Sequence, residues 1–317
     1  MPYPMPSSTR TSSVVLPVMT DGSDAADLDG TVTWRELLVE TEQLLEGAAA
    51  DDPQLEARWI VEEVTGSSGS EFPGALDGLA TTRGVAHLDA LVRRRRAGEP
   101  IQYVLGHWSF RTIDLLVDRR VLIPRPETEV VAGIALAELD RSRPDGGGTV
   151  VDLGTGSGAI GLSIASERPG HRVLLTDASG DALAVARANL VGLGRAARGV
   201  EIAEGSWFEA VPDDYLDSCD VIVSNPPYIG RSEQLPASVT EWEPEAALRA
   251  EEDGLADLNF LVENGGRWLR PGGVLVLEMG HRQATDISRR GESLGYATTV
   301  HCDLAGLERA VVLRRGE

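Results

Sequence analysis

The residues best suited to chemistry in this sequence are Asn225, Pro226, Pro227 and Tyr228, which follow one another directly. The apolar segment 220–224 before them predicts a strand, so they would lie at its carboxyl end, the edge of an open α/β sheet where ligands bind. Two consecutive prolines fix two φ angles and remove two N–H donors. The Asn side chain adds a carbonyl acceptor, and the Tyr adds a flat ring. The combination favours a planar group that carries N–H hydrogens; the alternative interpretation is an ordinary turn made of turn-favouring residues.

A glycine-rich loop upstream is the second candidate for binding. The segment 150–153 predicts a strand, and it connects to a helix through Gly154, Thr155, Gly156, Ser157 and Gly158. Glycines let the backbone turn sharply and approach a ligand closely. Asp177 ends the next predicted strand, where a carboxylate can accept both hydroxyls of a ribose.

Two classes of cofactor use such a loop. A literal G-x-G-x-x-G begins at Gly156, two residues too late for a dinucleotide fingerprint, and the match that begins at Gly154 has Ala159 in its sixth position. Asp152 followed by G-x-G-x-G is instead the pattern of S-adenosylmethionine enzymes. Together with Asp177 and the Asn-Pro-Pro-Tyr turn, this pattern predicts a methyltransferase. A nicotinamide-dependent oxidoreductase, the competing hypothesis, would leave the turn unexplained.

The elements that must position these residues alternate between strand and helix from residue 149 onward. Such alternation predicts a mostly parallel sheet covered on both faces. The last two strands have no helix between them and predict an antiparallel hairpin at one edge. We predict strands at 149–153, 172–176, 200–203, 220–224, 274–278, 297–302 and 309–314. We predict helices at 128–139, 158–167, 180–191, 254–268 and 282–294.

The N-terminal half contains three shorter amphipathic helices. Thr33 and Glu36 form a capping box for the first, Asp52 and Pro53 begin the second, and Gly98 follows the end of the third. Residues 67–78 are predicted to form a loop.

The predicted domain organisation has four parts. Residues 1–30 are rich in Pro, Ser, Thr, Asp and Gly and are predicted to be a disordered extension. A helical domain spans 31–98, a linker with a short hairpin spans 99–129, and the sheet domain spans 130–317. In the linker, residues 113–117 and 121–123 could pair as strands.

Composition narrows the classes of function. The formal net charge is −21, whereas a protein that binds duplex nucleic acid usually carries a basic stripe. The one dense basic run, at 93–96, would point all round a helix, and we interpret it as solvated surface or a domain contact. Two distant cysteines give neither a disulfide framework nor a metal-ligand spacing. The first residues show no basic segment followed by an apolar core, and no apolar run approaches the roughly 20 residues that cross a bilayer, so we expect a cytoplasmic protein with no signal peptide and no metal site.

The chain resembles the peptide-chain-release-factor glutamine N5-methyltransferases, the PrmC/HemK family, over about residues 33–315. The Asn-Pro-Pro-Tyr turn alone is shared with amino-methyltransferases of nucleic-acid bases. The narrower match is carried by Gly-Glu-Pro-Ile-Gln-Tyr-Val-Leu-Gly at 98–106, Leu-Ile-Pro-Arg-Pro-Glu-Thr-Glu at 122–129, Glu-Pro-Glu-Ala-Ala-Leu at 243–248, Asp-Gly-Leu at 253–255, and Leu-Glu-Met-Gly at 277–280 with Gln283.

The resemblance implies a class I S-adenosylmethionine-dependent methyltransferase, with a Rossmann-like, seven-stranded, mostly parallel sheet and a small N-terminal helical domain. It implies that residues 154–158 wrap the methionine part of S-adenosyl-L-methionine and that Asp177 holds its ribose. Trp207 would line the adenine pocket; its alternative interpretation is a core aromatic. Substrate glutamine would be held by Asn225, Pro226, Pro227 and Tyr228, of which Asn225, Pro226 and Tyr228 would be catalytic and Asn225 would also contact the cofactor.

The implied protein substrate is a class I peptide chain release factor that presents a Gly-Gly-Gln loop, with residues 31–98 recognising the rest of it. No membrane partner and no direct nucleic-acid binding are expected. Two alternatives stay open, namely glutamine methylation of a ribosomal protein and amino-methylation of a nucleic-acid base. The sequence departs from the family pattern at Leu258-Asn259, where a Tyr-Arg pair is usual, and at Phe110-Arg111-Thr112, where an aromatic-glycine turn is typical.

Our hypothesis for the chemistry needs no conventional base. The Asn225 side-chain carbonyl and the Pro226 backbone carbonyl would each accept one hydrogen of the glutamine amide, and Tyr228 would pack on the amide plane. These contacts would align the nitrogen with the methyl donor.

Overall fold

The computed structural model describes residues 31–48 and 50–317. The predicted extension at 1–30 lies outside the described residues. The chain divides into two compact units between Leu105 and Gly106. We call them the helical unit, up to Leu105, and the sheet unit, from Gly106 onward.

Within the described residues the helical unit contains five helices, and the three longest are those predicted from the sequence. The Thr33 side chain accepts from the Glu36 amide, and the Glu36 carboxylate accepts from the Thr33 amide at 2.8 Å, which completes the predicted capping box. Asp52 Oδ1 accepts from the Leu55 amide at 3.0 Å and caps the second helix. Residues 67–78, predicted as a loop, contain a short helix. The helices are α1 (Trp34–Leu45), α2 (Pro53–Thr65), α3 (Phe72–Ala75), α4 (Thr82–Arg96) and α5 (Ile101–Leu105).

The basic run at the end of α4 is partly internal. Arg95 is buried and forms an ion pair with Glu56 at 2.5 Å. Arg94 pairs with Glu99 at 2.7 Å and donates to the backbone carbonyl of Tyr103 at 2.8 Å. Two of the four arginines therefore fasten the helical unit together.

The sheet unit contains the seven predicted strands and a set of helices that connect them. Its strands are β1 (His107–Phe110), β2 (Ile113–Leu116), β3 (Thr149–Leu153), β4 (Arg172–Asp177), β5 (Val200–Glu204), β6 (Cys219–Ser224), β7 (Ile229–Gly230), β8 (Arg249–Ala250), β9 (Leu269–Glu278), β10 (Ala297–Cys302) and β11 (Glu308–Arg314). Its α-helices are α6 (Pro126–Ser142), α7 (Ala159–Glu167), α8 (Gly180–Gly192), α9 (Ala237–Thr240), α10 (Glu251–Gly254), α11 (Ala256–Gly265) and α12 (Ala284–Ser293).

The main sheet has the order β10-β11-β9-β6-β3-β4-β5. The five strands from β9 to β5 are parallel, and β11 pairs antiparallel with both β9 and β10, which confirms the predicted mixed sheet with a hairpin at one edge. The chain runs outward from β3 to β5 and then returns to the other side of β3 with β6. The strand order reverses between β3 and β6, and such a reversal opens a ligand crevice at the carboxyl ends of the strands.

The core of the sheet unit lies on both faces of these parallel strands. Strand β6 is buried at every position, which is typical of a parallel strand covered by helices on both faces. Phe208 stacks on Trp268 with ring centroids 5.8 Å apart and forms part of this core. Among the described residues, no helix has the length and apolar character needed to cross a bilayer.

The predicted pairing within the linker was wrong. Residues 113–116 pair with β1, not with 121–123, and the latter residues form no strand in the described structure. The turn of this hairpin contains Arg111, whose backbone φ is 52°. The Arg111 side chain forms an ion pair with Glu167 at 2.6 Å, and its amide donates to Glu129 at 3.1 Å. These contacts oppose the cost of a left-handed arginine, which is about 1–2 kcal/mol.

Candidate active site

A cavity of about 450 Å³ lies at the carboxyl ends of β3, β4 and β6. It brings together most of the residues predicted from the sequence. Its lining includes Gly154, Thr155, Gly156, Ser157, Asp177, Trp207, Asn225 and Pro227. The predicted residues Gly158, Pro226 and Tyr228 do not belong to this lining, although they adjoin residues that do.

Asp152 holds the glycine loop in place through hydrogen bonds to its side chain. It is 1% exposed, and its Oδ2 accepts hydrogen bonds from the Thr155 hydroxyl at 2.6 Å and the Gly161 amide at 2.9 Å. Burial raises the pKa of Asp152 to about 6, against the lowering effect of these two donors. The loop and the first turn of α7 are therefore held to the end of β3 by a single carboxyl group.

The far end of the loop is fixed by Asn189 on α8, a residue to which the sequence analysis gave no role. Its Nδ2 donates to the Ser157 carbonyl at 2.8 Å and to the Leu116 carbonyl at 3.1 Å, while its Oδ1 accepts from the Leu116 amide at 2.7 Å. Asn189 thus joins the loop to β2. No local pattern marks it, because its partners are distant in the sequence.

Asp177 faces the loop from the end of β4. Its Oδ2 accepts from the Gly156 amide at 2.9 Å, and its Oδ1 accepts from the Ser179 amide at 2.9 Å. Each carboxylate oxygen can accept more than one hydrogen bond. The group therefore keeps capacity for the hydroxyls of a ligand.

Trp207 forms one wall of the cavity. Its backbone φ is 47°, and its Nε1 donates to Asp257 Oδ1 at 3.2 Å. Burial raises the pKa of Asp257, which also lines the cavity. A Cβ added at Gly154 would lie 3.3 Å from the Trp207 ring, so the backbone of the glycine loop packs closely against the indole.

The Asn-Pro-Pro-Tyr turn begins directly after β6. Asn225 Nδ2 donates to Thr128 Oγ1 at 3.3 Å. Within the described residues, neither Asn225 Oδ1 nor the Pro226 carbonyl receives a hydrogen bond. The turn therefore presents two carbonyl acceptors, as the sequence predicts.

Tyr228 is held at both its ends. Its hydroxyl donates to Glu278 Oε1 at 3.1 Å, and its backbone carbonyl accepts from Gln283 Nε2 at 2.9 Å. Burial raises the pKa of Tyr228. The ring is consequently fixed in place as a neutral phenol.

Glu243 joins the Pro-Arg-Pro segment to the segment 243–248. Its buried carboxylate pairs with Arg125 and accepts from the Ile123 amide at 3.1 Å. Two of the quoted motifs, at 122–129 and 243–248, therefore meet in space. The sequence analysis gave these residues no role, although both motifs were part of the resemblance.

The residues of the cavity fit S-adenosylmethionine. Its volume falls within the range of small-molecule sites, about 300–1,000 Å³. The Asp177 carboxylate suits a diol, the Trp207 ring in the cavity wall suits a planar base, and the glycine loop also lines the cavity.

Comparison with known proteins gives matches over both units. Residues 133–265 match the methyltransferase small domain family, and residues 36–106 match the PrmC N-terminal domain family. A release factor glutamine methyltransferase of Aliivibrio fischeri is 36% identical over 278 residues, which cover 87% of this chain and 95% of that protein. One from Salmonella typhimurium is 37% identical over 262 residues, with coverage of 82% and 91%.

Among solved structures, a release-factor-specific protein-(glutamine-N5) methyltransferase of Alicyclobacillus acidocaldarius is similar to the chain. It is 29% identical, with a TM-score of 0.38, and the match covers 62% of this chain and 95% of that one.

Proposed function

The chain belongs to the family of release factor glutamine methyltransferases, and from that premise we propose how its cavity acts. The enzyme transfers a methyl group from S-adenosylmethionine to the side-chain amide nitrogen, N5, of a glutamine. That glutamine lies in the Gly-Gly-Gln loop of a class I peptide chain release factor. The observation that carries the proposal is the position of Asn225, which lines the cavity beside the glycine loop while its Oδ1 has no donor among the described residues.

Cofactor binding is assigned to the glycine loop and the two side chains opposite it. When bound, S-adenosylmethionine supplies a methyl group activated by its sulfonium centre. Residues 154–158 would hold its methionine part, Asp177 its ribose and Trp207 its adenine.

Asn225 and Pro226 supply the acceptors for the substrate amide. An amide nitrogen is a poor nucleophile because its lone pair is delocalised into the carbonyl. If Asn225 Oδ1 and the Pro226 carbonyl each accept one amide hydrogen, the nitrogen is fixed in one orientation and its electron density rises. Such alignment can lower the activation free energy by about 7–11 kcal/mol. The same acceptors stabilise positive charge that develops on the nitrogen.

Tyr228 would pack on the plane of the glutamine amide. Its hydroxyl is already bound to Glu278, so the ring needs no rearrangement to receive a substrate. Pro227 lines the cavity and would bound the same space. This assignment gives each residue of the turn one role.

The experiment offers S-adenosylmethionine labelled in its methyl group to a release factor, a ribosomal protein preparation and DNA. We expect label in the release factor, and none in a release factor whose Gly-Gly-Gln glutamine is replaced by Glu. Label in DNA alone would overturn the proposal. The net charge of −21 favours a protein substrate over a phosphate backbone.

Asn225→Ala tests the role of the acceptor. We expect turnover to fall about 100-fold, because an electrostatic contact made at the reacting group is lost. Cofactor affinity should fall far less than turnover does. Asn264→Ala, the same truncation at an exposed asparagine on α11, is the matched control and should keep full activity. Near-normal methyl transfer by Asn225→Ala would contradict the proposed role.

A further inference from the structure

Asp257 is a carboxyl group in the cavity wall to which the proposed function gives no role. Three carboxyl groups line the cavity, those of Asp152, Asp177 and Asp257. Asp152 holds the glycine loop, and Asp177 is assigned to the ribose. Asp257 is the second residue of α11 and is only partly exposed. A carboxylate that loses contact with water in this way is costly unless hydrogen bonds take the place of that contact.

Only one of the two carboxylate oxygens of Asp257 has a donor within the described residues. Trp207 Nε1 donates to Oδ1 at 3.2 Å, and Oδ2 receives no hydrogen bond from that part of the chain. Burial raises the pKa of Asp257, and the bond from Trp207 opposes that shift. The first turn of α11 favours a negative charge, which accounts for an acidic residue at this position but provides no donor to Oδ2. The second oxygen is therefore left for a ligand.

Hydrogen bonds place Asp257 at the far end of a row of binding residues. The Gly156 amide in the glycine loop donates to Asp177 Oδ2 at 2.9 Å, and the Gly205 amide donates to the Asp177 backbone carbonyl at 3.0 Å. Trp207 follows two residues after Gly205 and contacts Asp257. The row therefore runs in the order of the cofactor's parts, from methionine through ribose to base. Asp257 lies beyond the ribose position, next to the base.

The contact between Trp207 and Asp257 also sets the position of the carboxylate relative to the plane of the indole. The indole N–H bond lies in the plane of the ring, so its acceptor lies at the edge of the ring and not over its face. A base stacked on that face brings its own edge close to the carboxylate. Adenine carries an exocyclic amine with two N–H hydrogens on the edge away from the ribose. A carboxylate can only accept, so it matches this amine and opposes an oxo group at the same position.

We propose that Asp257 is the residue that recognises the exocyclic amine of the cofactor's adenine, with Oδ1 held by Trp207 and Oδ2 accepting an amine hydrogen. This inference rests on the proposed function, since it adopts the assignment of Trp207 to the base. Asp257 thereby selects an adenine nucleoside over a hypoxanthine nucleoside, which has an oxo group in place of the amine. It takes no part in methyl transfer itself.

The test measures this preference by calorimetric titration of the full chain with two nucleosides. One is S-adenosylhomocysteine, the cofactor without its methyl group, and the other is S-inosylhomocysteine, in which an oxo group replaces the amine. We expect wild type to bind the adenine compound about 10- to 100-fold more tightly, because the oxo compound loses a charge-assisted hydrogen bond and sets two acceptors against each other. Equal affinities would overturn the proposal without any variant.

Asp257→Asn has the sharpest expected outcome. The Trp207 N–H requires an acceptor, so it holds the new amide oxygen and turns the NH₂ toward the base. The variant should bind S-adenosylhomocysteine at least about tenfold more weakly than wild type does and S-inosylhomocysteine more tightly, so the ratio of the two affinities should fall to about one or below. Asp213→Asn, the same change at an exposed residue outside the cavity lining, is the matched control and should keep the wild-type ratio.

Trp207→Phe provides a second arm, because it keeps an aromatic ring and removes the N–H. Alone, it leaves the Asp257 carboxylate in place, so both affinities should fall together and the ratio should stay in favour of adenine. In the double variant with Asp257→Asn, the amide is free to turn its oxygen to the base. The preference for adenine should then return in part, a recovery that general damage to the cavity would not produce.

The outcomes separate this inference from the proposed function. If wild type prefers the adenine compound and Asp257→Asn keeps the whole of that preference, another group recognises the amine and only the role of Asp257 is overturned. If the affinity ratio changes as expected but wild type labels no glutamine in a release factor, the proposed function fails and the assignment of Asp257 stands. A loss of preference in Asp213→Asn as large as that in Asp257→Asn would also overturn the assignment, because the effect would not depend on the cavity.

Discussion

At the scale of single residues, the cavity combines groups already engaged by the protein with groups left to a ligand. The Asn225 amide uses its NH₂ on Thr128 and keeps its oxygen. Asp177 accepts from two backbone amides and retains further lone pairs. The internal contacts fix orientation before any ligand arrives, which is the condition for strong electrostatic effects in a site.

Asp177→Ala tests the ribose assignment. The substitution removes charge-assisted hydrogen bonds worth about 1.5–3 kcal/mol, so cofactor affinity should fall about 10- to 100-fold. Calorimetric titration with S-adenosylmethionine measures this affinity. Asp181→Ala is the matched control, since Asp181 is exposed at the start of α8 and does not line the cavity. Unchanged binding by Asp177→Ala would refute the assignment.

The residues that were predictable are those whose signal is local. The glycine loop, Asp177 and Asn225 follow strands directly, and strand ends meet at one edge of a parallel sheet. Asn189, Glu243 and Glu278 act through partners far away in the chain, such as Leu116 for Asn189 and Arg125 for Glu243. Their side chains carry no pattern of their own, so only the folded chain assigns their contacts.

At the scale of elements, the seating of α7 on the sheet determines the shape of the glycine loop. A Cβ added at Gly161 would lie 2.1 Å from Leu175 Cδ2 and 3.0 Å from Asp152 Oδ2. Gly161 also donates its amide to Asp152. The first turn of α7 can approach β3 and β4 this closely because position 161 has no side chain.

Gly161→Ala should therefore disturb both stability and the loop. Overpacking of this kind costs about 1–3 kcal/mol, and cofactor affinity should fall with it, because the helix must move away from Asp152. Gly192→Ala, at the end of α8 with nothing within 4 Å of an added Cβ, is the control. It should be neutral or stabilising by up to about 1 kcal/mol. Urea denaturation of both variants would show the difference, and equal stabilities would contradict the close-packing argument.

The strands of the main sheet were predictable because buried parallel strands form continuous apolar runs between helical segments. The linker was not. Residues 121–123 are apolar, but Pro124 and Pro126 follow them, and they form no strand in the described structure. The true partner of β2, at 107–110, is only four residues long, too short for its polar–apolar alternation to identify a strand. Short strands such as these are defined by the tight turn between them more than by their composition.

At the scale of the whole molecule, the cofactor cavity is built entirely within the sheet unit. Its lining residues run from Arg120 to Asp257, whereas the division between the units lies at Leu105 and Gly106. The helical unit has its own caps and its own buried ion pair between Arg95 and Glu56. This separation supports a division of labour, with chemistry in one unit and recognition of the protein substrate in the other.

A truncated chain of residues 106–317 tests that division. It should bind S-adenosylmethionine with nearly unchanged affinity, because every lining residue of the cavity is retained. It should methylate a short Gly-Gly-Gln peptide as well as the full chain does. With an intact release factor, kcat/KM should fall at least about tenfold, which corresponds to about 1.4 kcal/mol of lost recognition. Asn225→Ala in the truncated chain is the control: it should lower methylation of the peptide, which would show that the activity comes from this cavity. Equal activity of both chains on the intact release factor would show that the helical unit does not contribute to substrate recognition.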